Sequence, residues 1–116
     1  MIHTSLRHLG ALLLPLLGML GCAPADLLNR TVDRAGLTAQ RDIAYGPLPR
    51  QAMDVWRPAE GAANLPVVVF FYGGSWSSGE RGDYRFVGEA LASRGIVTVV
   101  ADYRLSPEFR YPVFVL

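Results

Sequence analysis

The chain has 116 residues, 51% of them hydrophobic and 18% charged, with a formal net charge of +1, 12 glycines, 8 prolines and one cysteine. That composition fits one small globular domain and excludes a disordered chain. All 11 basic residues are arginines scattered among 10 acids, so no basic patch for nucleic acid is expected, while one cysteine excludes an internal disulfide and a Cys-rich zinc site.

Residues 1–21 read as a signal peptide of lipoprotein type. A basic start around Arg7 precedes the apolar run Leu9–Leu20, which Pro15 interrupts. The run falls short of the roughly 20 residues a bilayer span needs, and it lacks the polar face of a core helix. Met19-Leu20-Gly21-Cys22 resembles a bacterial lipobox, with Met where Leu is usual. The resemblance implies lipidation at Cys22, export to the bacterial cell envelope and contact with the membrane through a lipid anchor. Ordinary cleavage near Ala23 to Ala25, giving a secreted protein, and retention of the segment are the alternatives. Either cleavage discards His3 and His8, the only histidines. Residues 22–40, containing Pro24 and few large apolar side chains, read as a tether with at most one weak helical turn.

From Arg41 the pattern is that of a folded domain, residues 41–116. Asp42–Tyr45 and Ala52–Trp56 alternate apolar and polar residues around Gly46, Pro47 and Pro49, which predicts an antiparallel pair. Pro66–Tyr72 is a continuous β-branched and aromatic run suited to a strand buried on both faces. A glycine-rich loop, Gly73–Gly82, follows. Asp83 is placed to cap a helix carrying Tyr84, Val87, Ala90 and Leu91, which Gly95 ends, and Ile96–Ala101 is a second buried strand. Strand, loop, helix and strand make a βαβ unit, so the class is α/β.

The glycine loop does not fit nucleotide binding. No GxGxxG can be placed, and although Gly74 and Gly79 have P-loop spacing, Glu80 and Arg81 stand where Lys and Ser or Thr are required. Glycines at a strand end also suit an oxyanion hole, where backbone N–H groups converge on an oxygen that gains charge. A plain turn is the alternative.

Phe70-Phe-Tyr-Gly-Gly-Ser-Trp76 and Asp102-Tyr-Arg-Leu-Ser-Pro-Glu108 together resemble the N-terminal third of α/β-hydrolase esterases and lipases, over roughly Arg41 to Leu116. The resemblance implies that Gly74 and Ser75, with Gly73 as turn-former, supply the oxyanion hole. It also implies that Trp76 packs near an acyl pocket, core packing being the alternative. Tyr72 departs from the family's His. Asp102 is expected in a structural role, paired with Arg104 or bonded to the oxyanion loop, because the family's catalytic acid comes later in the chain. Glu108, Arg110, Pro107 and Pro112 are expected to scaffold the same segment. Ser75, Ser77 and Ser78 lack a G-x-S-x-G elbow and are not read as nucleophiles.

The implied function is carboxylic ester hydrolysis through an acyl-serine, on a small-molecule ester, with no metal and no cofactor. The serine, acid and histidine of such an enzyme are absent from residues 22–116. The chain is therefore expected to be an incomplete, inactive hydrolase, Tyr111–Leu116 being the start of an unfinished helix. A noncatalytic remnant or binding lipoprotein is the alternative. Val67–Phe71, left as an edge, is expected to make residues 23–116 poorly soluble.

Overall fold

The computed structural model describes residues 24–61 and 63–115. The predicted signal peptide and Cys22 lie outside the described residues. A helix α1, Pro24–Thr31, precedes two strands, β1 at Leu37–Ala44 and β2 at Ala52–Pro58. Strand β3, Val67–Phe70, leads through the glycine loop to a 3₁₀ turn, Arg81–Tyr84. Helix α2, Arg85–Ala92, then precedes β4, Val97–Ala101, and a short 3₁₀ turn spans Val113–Val115.

The four strands form one sheet in the order β1-β2-β4-β3. β1 pairs antiparallel with β2, β2 antiparallel with β4, and β3 parallel with β4. The predicted antiparallel start and βαβ unit are both present. β1 begins earlier than its alternation indicates, and a bulge between Gln40 and Ile43 holds Asp42 at φ 57°. The Asp42 N–H donates to Asp54 Oδ1 at 2.9 Å, which compensates the ladder bond that the extra residue removes.

One sheet face carries the core. Trp56 and Val100 point to the same side and pack with Tyr72, Ala92 and Tyr103, all buried. Gly88 of α2 lies directly over Trp56, and a methyl group there would overlap the indole. Glycine inside a helix costs roughly 1 kcal/mol relative to alanine; here it lets the helix approach the largest side chain of the core.

Three sequence expectations are corrected. The 22–40 tether contains α1 and the first residues of β1. An eight-residue helix is too short to persist alone, so its contacts hold it. Buried Asn29 donates weakly to the carbonyls of Gly82 and Asp83 and accepts the Phe86 N–H at 2.8 Å. Arg34 pairs with buried Glu89 of α2 at 2.9 Å. The second correction follows from the first: Asn29, fifty-seven residues upstream of Phe86, caps α2 in place of Asp83. Third, β3 is not buried on both faces. It is the sheet edge, as expected for Val67–Phe71 without a further partner strand, with Val67 62% and the adjoining Phe71 63% exposed.

Replacing Gly88 with Ala is predicted to destabilise the fold by about 1–3 kcal/mol through overpacking on Trp56. Urea unfolding followed by tryptophan fluorescence measures this, and an unchanged midpoint would contradict the packing described.

Candidate oxyanion-binding loop

β3 ends against the core at Tyr72, and the chain then leaves the sheet through Gly73–Gly79. Four residues of this loop have positive φ: Gly74 at 148°, Ser75 at 52°, Trp76 at 60° and Gly79 at 99°. Two of them are not glycine, and left-handed backbone at a bulky residue is costly, so the loop persists only because its surroundings over-determine it.

The turn closes on a single oxygen. The Gly74 carbonyl accepts the N–H groups of Ser77 and Ser78 at 2.9 and 3.1 Å and both serine hydroxyls at 3.2 Å. A side chain at Gly74 would overlap the Ser78 carbonyl. Since the peptide is trans and planar, drawing the Gly74 oxygen inward turns the Ser75 N–H the opposite way. Among the described residues, the N–H groups of Gly73, Gly74, Ser75 and Trp76 donate to no partner. Unpaired amides in a turn, here including Ser75 and Trp76 at left-handed positions, carry positive potential suited to an anion or a charged oxygen.

The loop is clasped at both ends by Asp102, which follows β4. Its carboxylate accepts the Tyr72 hydroxyl just before the loop, and the Arg81 N–H, at 2.8 Å, and guanidinium just after it. Arg50, from the β1–β2 turn, donates to the Tyr72 hydroxyl at 2.7 Å and to the carbonyls of Gly79 and Tyr103 at 2.8 Å each. The Tyr103 hydroxyl donates to the Tyr72 carbonyl, and the Ser106 N–H to the Trp76 carbonyl, both at 2.7 Å. Tyr72 also stacks on Tyr84 with ring centroids 5.1 Å apart. Burial, followed by the hydrogen bond to Asp102, raises the Tyr72 phenol well above its ordinary value, so it stays neutral and keeps its donor.

Arg81 carries the electrostatic load. Its guanidinium meets Asp102, Asp54 and Asp42. Burial opposes its charge, but the hydrogen bonds to Asp54 and Asp102 outweigh that, and its pKa is raised. Asp54, buried on the Trp56 side of β2, was a legible signal: a carboxylate at a core-facing strand position needs a cation. No local pattern marks Arg50, whose partners are twenty-two or more residues away.

The structure thus brings Gly73, Gly74 and Ser75 together in one loop with unpaired amides. Trp76 is half exposed, stacks on Phe114 at 4.9 Å and meets Tyr103 edge-on at 5.1 Å. It borders an apolar cavity of about 600 Å³ that Met53, Val69, Phe71 and Val99 also line, on the sheet face opposite α2. Ser77 and Ser78 spend their hydroxyls on the Gly74 carbonyl, so they tie the turn. Asp102 bonds the residues flanking the loop, in line with its expected structural role. Among the described residues no cluster of three His, Cys, Asp or Glu could hold a metal ion, and no helix is long and apolar enough to cross a membrane.

Asp102→Asn is predicted to cost about 1–3 kcal/mol, because it removes the buried charge that pairs with half-buried Arg81 and weakens the hydrogen bonds it accepts. Amide hydrogen exchange at Ser77 and Ser78 should accelerate in the same variant. Wild-type stability with unchanged exchange would show that the clasp does not hold the loop.

Comparison with known proteins identifies the family and fold. The family model described as BD-FAE matches residues 53–115, more than half of the chain. A probable isoprenylcysteine alpha-carbonyl methylesterase of rice is 38% identical over 68 residues, covering 59% of this chain and 16% of the relative. Esterase LipC of Mycobacterium tuberculosis is 37% identical over 79 residues, covering 66% of this chain and 20% of that protein. The chain therefore spans a fifth or less of these relatives' length. Among solved structures, esterase B of Lactobacillus rhamnosis superposes with a TM-score of 0.69 at 22% identity, over 92% of this chain and 35% of that one, a likeness of fold. The chain belongs to the BD-FAE family and carries part of an α/β-hydrolase esterase fold.

Proposed function

We propose that Gly73–Trp76 is the oxyanion-binding segment of a carboxylic ester hydrolase. The observation that carries this reading is the run of four unpaired N–H groups at Gly73–Trp76, with the Ser75 N–H turned away from the inward Gly74 carbonyl, in a loop clasped through Asp102. The Gly74 and Ser75 amides receive the ester carbonyl oxygen and hold it more tightly as negative charge grows in the tetrahedral intermediate. Loss of one such donor typically lowers turnover by about 10²–10³. The loop is set before substrate arrives, so no reorganisation is needed as the charge develops.

The reaction is acyl transfer to water through an acyl-serine, on a small-molecule ester, without metal or cofactor. Its nucleophile, acid and histidine base are not among residues 24–115, where there is no histidine and no G-x-S-x-G. The chain alone is therefore inactive. A leader over 1–21 exports it, and lipidated Cys22 anchors it to the cell envelope.

Two assays test this. Purified chain should not hydrolyse p-nitrophenyl butyrate above background. A polypeptide in which this segment is continuous with a G-x-S-x-G serine, an Asp and a His should turn the ester over, and Gly74→Pro should lower its kcat by at least about 10². Turnover indifferent to Gly74→Pro would contradict the oxyanion assignment.

A further inference from the structure

The helix α1 has no part in the loop's chemistry, yet its position relative to Cys22 is informative. A lipoprotein domain on a flexible tether would hang free of the membrane. Here the helix begins at Pro24, two residues after Cys22, and it is docked onto the body by Asn29 and the Arg34–Glu89 pair. Two residues of extended chain reach no more than about 7 Å. An acylated Cys22 would therefore hold α1, and the domain docked to it, at the level of the lipid headgroups.

What α1 presents to its surroundings fits that place. Leu27 is 64% and Leu28 45% exposed, next to the Asp26–Arg30 ion pair, which is itself solvent-facing. Interfacial helices seat apolar side chains about 5–10 Å into the headgroup and acyl boundary while their charged residues stay in water.

We infer that α1 is a membrane foot, with Leu27 and Leu28 inserted in the bilayer interface beside lipidated Cys22, so that the domain sits on the membrane in a fixed orientation. This rests on the lipid-anchor reading of Cys22. The experiment reads the two separately. The full chain is expressed with its leader, membranes are collected, and mass spectrometry of the Cys22 peptide reports acylation. Cys22 is the chain's only cysteine, so once acylated it leaves Leu27→Cys, Leu28→Cys and, as a control, exposed Tyr111→Cys as unique sites for a nitroxide label. At positions 27 and 28 relaxation by dissolved oxygen should exceed relaxation by a water-soluble nickel chelate several-fold, and at 111 the order should reverse. Labels at 27 and 28 that behave as at 111, or that are shielded from both reagents, would overturn the foot while the anchor stands. Absence of the acyl group would overturn both.

Discussion

The structure depends on one buried carboxylate. Asp102 is nearly solvent-free and bonds residues on either side of the glycine loop, Tyr72 through its hydroxyl and Arg81 through both backbone and side chain. A buried anion is costly unless paired and hydrogen-bonded. Three separate parts of the chain meet that requirement: the end of β3, the start of the 3₁₀ turn, and Arg50 from the β1–β2 turn. Satisfying one charge therefore fixes the relative positions of segments far apart in sequence.

The consequence for function is preorganisation. Ser75 and Trp76 occupy backbone conformations that side chains disfavour, and the stabilisation that offsets this comes from the clasp and from the Gly74 carbonyl with its four donors. The strain falls on the residues whose amides are left unpaired. The Tyr that stands where relatives of the α/β-hydrolase type are expected to have His suits this role. Its phenol stays neutral, and its ring is held between Tyr84 and Tyr103.

Much of this was legible in the residues themselves. Val67–Phe70 and Val97–Ala101 declare strands by β-branching, and the glycines between them declare a tight loop ahead of a helix. Asp102 could be read as structural. What stayed hidden is tertiary. Pro24, Asp26 and Arg30 are ordinary helix-end signals, but an eight-residue helix forms only because Asn29 finds the α2 terminus, and no local pattern announces a cap from so far away. Arg50 is hidden for the same reason. A run of valines looks alike at the centre and at the edge of a sheet, so the exposure of β3 was legible only through the family resemblance, which left Val67–Phe71 an edge. Its apolar side chains, and the cavity lined by Met53, Val69, Phe71 and Val99, leave one face of the sheet uncovered by α1 or α2.

The loop is rigid without ligand because Asp102 clasps both its ends. Backbone ¹⁵N relaxation measures this directly. Order parameters for Gly73–Gly79 should lie near the ~0.85 of rigid backbone, matching β4, and fall in Asp102→Asn; values below ~0.6 in the unaltered chain would contradict a loop held by the clasp.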